Sequence, residues 1–324
     1  MQALILGILF VVVLLVSAGI VATVFLTTWA ERRYPAIGRF VPVTGGRLHV
    51  IDREPAEPAG PLPVVLLHGA SGNARDMMAA LGDRVGRVRR VIAIDRPGHG
   101  WSDRPGGRSD AAPARQAALI REALSAMDVR RAVIVGHSWS GALATRLALD
   151  APDLVAGLVL LAPVTHPWPG GVTWYYTPAS HPLVAPLFAW AVSAPVGALQ
   201  LTGSVAGVFA PDPAPPDYVS ATGTWLVLRP AEFRANAQDV KDLHGHVVAQ
   251  AHRYGEIAVP TTIVHGEADN TVSPRIHSDA LAREIPGSKL VLLPNAGHMP
   301  HHAYRDLVAA EIERVAERAE ALLR

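Results

Sequence analysis

The sequence predicts an α/β fold: a doubly wound, mostly parallel sheet with an inserted helical cap and an N-terminal transmembrane helix. Three observations carry that reading. Short β-branched runs alternate with helical patterns from Pro63 to Leu161 and again from Thr261 onward, the arrangement that right-handed βαβ crossovers produce. Between these blocks, Leu154 to Pro211 runs for 58 residues without Asp, Glu, Lys or Arg. Residues 1–30 also carry no charged side chain.

As a helix, the 27 residues from Ala3 to Trp29 would extend about 40 Å, enough to cross a hydrocarbon core of about 30 Å with some tilt. Trp29 occupies the interfacial position and Glu31-Arg32-Arg33 closes the segment. A cleaved signal peptide fits less well, because no Lys or Arg precedes the apolar run and the run is about twice an ordinary signal core. Residues 1–30 therefore read as a retained single-pass membrane anchor. Arg32, Arg33, Arg39 and Arg47 all follow it, which places the remainder on the cytoplasmic side. Glu31 to Gly38 reads as a short tether.

Residues 31–163 form the first part of the core. Phe40–Val43 and Leu48–Ile51 flank Gly45-Gly46 as a hairpin, and Pro55–Pro61 reads as a loop. Pro63–Leu67 is apolar throughout, as in a strand buried on both faces. Asn73 caps a helix to about Leu81. A strand over Arg90–Ile94, a helix over Ala112–Met127, a strand ending at Gly136 and a strand over Val155–Leu161 complete this part. Residues 164–255 read as the cap. Its prolines, at 163, 167, 169, 178, 182, 186, 195 and 211 around the uncharged stretch, predict short helices broken by turns. The second part of the core, 256–324, holds a strand at Thr261–Val264, a helix at Pro274–Ile285, a strand at Lys289–Leu293 and an amphipathic helix at about Tyr304–Leu323.

Composition excludes several function classes. A net charge of +1 over 324 residues gives no electrostatic basis for a nucleic-acid partner. The chain has no cysteine, so a disulfide framework, a thiolate metal site and a cysteine nucleophile are all impossible. His298, His301 and His302, and likewise His244 and His246, have no carboxylate or thiolate at ligand spacing. No metal and no cofactor is expected.

The chemistry concentrates at Val133-Ile134-Val135-Gly136-His137-Ser138-Trp139-Ser140-Gly141. A strand runs through a sharp turn into an Ala/Leu-rich helix, and such a turn presents a serine hydroxyl above the sheet edge if its neighbours two places away are small. Gly136 and Ser140 hold those places around Ser138. Ser140 is itself flanked by Ser138 and Ala142, so the register has an alternative, which the strand end at Gly136 disfavours. A serine hydroxyl needs a base to take its proton, and that base needs an anion on its other nitrogen. Late in the chain, His265-Gly266-Glu267-Ala268-Asp269 and Asn295-Ala296-Gly297-His298 each follow a strand. They offer His298 as base and Asp269, with Glu267 as alternative, as acid.

With His68-Gly69-Ala70-Ser71-Gly72-Asn73 and Asp95-Arg96-Pro97-Gly98-His99-Gly100-Trp101-Ser102-Asp103 preceding them, these motifs resemble the α/β-hydrolase superfamily over nearly everything past residue 38. The nearest likeness is to cap-bearing serine hydrolases: esterases, lactonases, carbon-carbon bond hydrolases and perhydrolases. Epoxide hydrolases and haloalkane dehalogenases share the scaffold but use an aspartate at the elbow, and Ser138 argues against both. The resemblance implies Ser138 as nucleophile, His298 as base, Asp269 as orienting acid, and the backbone N–H groups of Ala70 and Trp139 as oxyanion donors. Asp95 and His99 read as structural residues that fix a turn, His68 as a loop-packing residue and the cap aromatics as core.

The function expected is a membrane-anchored serine hydrolase acting on an apolar ester or related carbonyl substrate through an acyl-enzyme. Alternatives are a carbon-carbon bond hydrolase or perhydrolase with the same triad, and a catalytically silent accessory protein. Part of the cap, within Pro182 to Ala210, is expected either to touch lipid or to form the buried underside of the cap. Oligomeric state is not legible.

Overall fold

The computed structural model describes residues 1–324 apart from Pro58 and Ala59, so the expected loop Pro55–Pro61 lies partly outside the described residues. A 32-residue helix, α1 (Gln2–Arg33), precedes the hairpin β1 (Arg39–Val43) and β2 (Gly46–Arg53). The sheet continues with β3 (Val64–Leu67), β4 (Val91–Ile94), β5 (Ala132–His137), β6 (Val155–Leu161), β7 (Thr261–Gly266) and β8 (Lys289–Leu293). Its order is β1-β2-β4-β3-β5-β6-β7-β8. β2 runs antiparallel to β1 and β4, and every other pairing is parallel. From β3 to β7 every strand residue is buried, as the continuous apolar runs require when helices cover both faces.

One face packs on α4 (Pro113–Ala126) and α5 (Ser140–Asp150), and the other on α2 (Ala74–Met77), α3 (Asp83–Val85) and α13 (Arg305–Leu322). Asn73 caps α2 by accepting the Arg75 N–H at 2.9 Å. The helix expected to follow passes through a π turn, Met78–Gly82, before α3. The expected helix at Pro274–Ile285 shrinks to α11 (Ser278–Glu284). Its first turn is spent on other bonds: His277 Nδ1 accepts the N–H groups of Thr165 and His166, and Ser278 Oγ pairs with His265.

The cap lies between β6 and β7. It comprises α6 (Tyr176–Ser180), α7 (Ala185–Phe188), α8 (Ala194–Phe209), α9 (Tyr218–Thr222) and α10 (Pro230–Gln250). Short helices separated by turns occur at α6 and α9, but Ala185–Phe209 departs from that expectation, being one helical run, apolar and long enough to cross a membrane. Pro186 sits in the first helical turn, where the missing N–H costs nothing, and Pro195 follows directly on a π turn at Ala189–Ser193 that joins the two pieces.

The tether is also corrected. α1 continues to Arg33, and Tyr34 is buried with Ala30 and Leu226. The Trp101 indole N–H donates to the Tyr34 carbonyl at 3.0 Å, and Arg229 pairs with Glu31 at 3.4 Å. Further back, a Cβ at Gly19 would lie 2.1 Å from the Ala191 carbonyl oxygen. Only glycine lets the helix backbone come this close to the cap, so α1 is seated on the domain rather than hung from it.

Candidate active site

β5, β7 and β8 all end at the same edge of the sheet, and their following loops bring Ser138, Asp269 and His298 together. Ser138 has φ +52°, the strained turn geometry expected of an elbow. Its N–H donates to the Leu161 carbonyl at 2.9 Å, tying the turn to the neighbouring strand. A Cβ at Gly136 would stand 2.5 Å from the Ser140 carbonyl oxygen, which is why that position must be glycine. Ser140 itself is fully buried and donates its hydroxyl to the His68 carbonyl at 2.5 Å. Of the two serines, Ser138 is the one that lines the cavity and meets His298.

The Ser138 hydroxyl donates to His298 Nε2 at 2.9 Å, and His298 Nδ1–H donates to Asp269 Oδ2 at 2.6 Å. Asp269 Oδ1 accepts the N–H groups of Thr271 and Val272 at 2.7 and 3.0 Å. Burial alone would raise the Asp269 pKa, but hydrogen bonds from His265 and His298 outweigh it and hold the carboxyl well below its ordinary range. The carboxyl is thus an anion at neutral pH. Glu267 points into solvent and has no part in the site.

Among the described residues, neither the Ala70 nor the Trp139 amide has an acceptor. Ala70 sits on the cavity wall. Two cap contacts fix the loops that carry these amides. Asn236 of α10 accepts the Ser71 N–H at 2.7 Å, and the Trp139 indole donates to the Asp239 carbonyl at 2.9 Å. Arg96 lies 4.1 Å from the Trp139 ring and pairs with Asp239 at 2.7 Å.

Asp95 takes a structural place: it binds His49 Nδ1 at 2.7 Å and accepts the amides of Ala74 and Trp101. His68 accepts the Arg96 N–H through Nε2, joining the loop after β3 to the loop after β4. His99 is buried against Arg96 and Pro97.

A cavity of about 580 Å³ opens above Ser138 and His298, walled by Phe188, Val192, Val196, Leu201, Val205 and Phe233. Phe188 and Phe233 correct the expectation that cap aromatics are core alone. Reading the sequence missed His265, Asn236 and Asp239. His265 stood in the same motif as Asp269, so a signal was present. The other two lie on a cap helix whose placement only folding supplies. The tertiary structure also brings Asp76 against His301 and His302, a carboxylate that local spacing could not offer.

A family model described as alpha/beta hydrolase fold matches residues 63–303, and the chain belongs to that family. An uncharacterized protein of Mycobacterium tuberculosis is 31% identical over 271 residues, 75% of this chain and 72% of its own length. Haloalkane dehalogenase 2 of the same organism is 27% identical, over 86% of this chain and 94% of its own. The 2-hydroxymuconate semialdehyde hydrolase of Pseudomonas putida is 27% identical, over 90% of this chain and 99% of its own.

Proposed function

We propose that the chain is a membrane-anchored serine hydrolase that cleaves an ester or related carbonyl bond of an apolar small molecule through an acyl-enzyme. The carrying observation is the relay from Ser138 through His298 to Asp269 at the floor of an apolar cavity. As the serine oxygen attacks the carbonyl carbon, His298 Nε2 takes its proton and Asp269 stabilises the imidazolium. The amides of Ala70 and Trp139 face the developing oxyanion, a contribution of roughly 3–4 kcal/mol per donor in such sites. His298 returns the proton to the leaving alkoxide, and a water repeats the sequence to release the acid. The dehalogenase likeness does not extend to the elbow, where the serine places an alcohol. Labelling the full-length protein with a fluorophosphonate probe and mapping the modified residue tests the reading; modification anywhere but Ser138, or none, refutes it.

The likeness to 2-hydroxymuconate semialdehyde hydrolase supports a second reading, a carbon-carbon bond hydrolase using the same three residues. Turnover of 2-hydroxymuconate semialdehyde without turnover of simple esters would favour it.

The anchoring part rests on α1. Its length of 32 residues corresponds to about 48 Å, well beyond the hydrocarbon thickness of about 30 Å. Its first half is exposed and apolar, while Gly19, Thr23 and Ala30 face the domain. Leu183, Leu187, Trp190 and Leu199 extend this apolar surface across the outside of the cap. An apolar patch of that kind is suited to lipid. The same helical run forms the cavity wall with its other face, so substrate dissolved in the bilayer would reach Ser138 past the cap.

A further inference from the structure

Behind His298 lies a second group of titratable side chains, which ester cleavage does not use. Asp76 at the end of α2, His137 at the end of β5, and His301 in α12 (Pro300–Ala303) each bring a ligating atom within 4.8 Å of the other two. All three are buried, as is His302. Asp76 Oδ1 accepts His302 Nε2–H at 2.9 Å, which fixes the carboxylate with Oδ2 toward His301.

His301 Nε2 stands 3.6 Å from Asp76 Oδ2. That is too long for a good hydrogen bond, but near the roughly 3.3–3.4 Å between neighbouring ligands of a tetrahedral ion with bonds of about 2.0–2.1 Å. Among the described residues, neither nitrogen of His301 has a hydrogen-bond partner, and Nδ1 of His137 and of His302 has none either. Buried polar atoms are rarely left so. His137 Nε2–H donates to the His298 carbonyl at 3.1 Å, the tautomer that leaves a lone pair on Nδ1.

One carboxylate and two imidazoles, with the carboxylate oriented by an outer histidine, form a donor set that suits zinc. Three protein ligands leave a fourth position free, and Asp76 and His137 both line the cavity.

We propose that Asp76, His137 and His301 form a site for one zinc-like divalent cation, with His302 orienting the carboxylate, and that its occupancy slows the hydrolase. The inhibition follows from charge. The His137 ring lies 5.0 Å from that of His298, and a cation held there opposes the imidazolium that forms during acylation. This second half rests on His298 being the base, whereas the binding half does not, so the two are measured separately.

The test uses the full-length protein in detergent, purified without a polyhistidine tag and stripped with EDTA. Calorimetric titration with zinc chloride should give one equivalent per chain, and cobalt chloride should give the intense visible bands of four- or five-coordinate cobalt. Asp76→Asn and His301→Gln should each weaken zinc binding at least tenfold, while exposed His244→Gln should not. Zinc should lower ester turnover in the wild type at the concentration that fills the site. Absence of saturable zinc binding, or equal affinity in Asp76→Asn and His301→Gln, overturns the site. Should neither variant fold, the wild-type cobalt spectrum decides, and weak octahedral bands alone overturn it. Binding without inhibition overturns only the regulatory half.

Discussion

Ser140 donates its hydroxyl to the carbonyl of His68 at 2.5 Å, within a fully buried contact that clips the His68–Gly69–Ala70 loop to the elbow. The bond leaves Ser138 as the serine that faces the cavity and gives Ser140 the separate task of holding the Ala70 amide in place. Ser138→Ala should therefore abolish fluorophosphonate labelling and lower p-nitrophenyl ester turnover by at least about a thousandfold. Ser140→Ala should keep the label and lose about ten- to a hundredfold in kcat, because its effect passes through one oxyanion donor. Labelling that persists in Ser138→Ala and vanishes in Ser140→Ala reverses the assignment.

Asp269 receives hydrogen bonds from two histidines, His265 at 2.9 Å and His298 at 2.6 Å. Asp269→Asn removes the anion that stabilises the imidazolium and should cost several orders of magnitude in kcat. His265→Gln keeps a donor of similar reach, so the loss should be modest. Glu267→Gln, at a solvent-exposed site, should match wild type. Steady-state kinetics on the three variants would show the order, and a crippled Glu267→Gln would refute the choice of acid.

The membrane reading can be checked on the intact chain, since the sequence has no cysteine. A single Leu199→Cys, at a position 87% exposed, takes an environment-sensitive dye. In phospholipid nanodiscs its emission should shift to the blue, and lipid-borne quenchers should reach it. A dye on Arg283→Cys, at an exposed position of α11 in the core, should report water. A water-like signal from position 199 means that the cap stays clear of the bilayer. Phe188 is unsuited to this test, because it faces the cavity.

His277 joins the cap's entry to the core by accepting two backbone N–H groups on Nδ1. Burial first, and nearby His166 and His265 second, lower its pKa to about 3. Between the unfolded value of about 6.5 and the folded one, the unfolded state binds more protons, so stability falls as pH drops through that window. At pH 5 this amounts to about 2 kcal/mol. His277→Gln retains an acceptor but does not titrate. Denaturant unfolding at pH 7 and pH 5 should show a smaller loss in the variant, and equal losses would discount His277.

Much of this was determined by sequence alone, wherever local patterns suffice. Apolar runs such as Pro63–Leu67 and Val155–Leu161 read as buried strands, because a strand covered on both faces has no polar side to display. The elbow at Ser138 was legible because its turn admits only small residues two positions away. The order of the motifs then pointed to His298 and Asp269, since each follows a strand ending at one sheet edge.

What the sequence could not give depends on residues distant along the chain. Its local spacing left both Ser138 and Ser140 possible, and the bond to His68, 72 positions away, separates them. Pro195 reads as a helix breaker, yet the helical run continues through it directly after a π turn. The tether reading failed for a similar reason: nothing near Glu31–Gly38 announces that Tyr34 is covered by Trp101 and Leu226. Asp76 and His301 lie 225 positions apart, so no ligand spacing could join them. Periodicity and turn chemistry act between neighbours in sequence and can be read there. Long-range hydrogen bonds, helix-to-cap packing and buried charge clusters exist only after the chain has closed on itself, and the tertiary structure alone decides them.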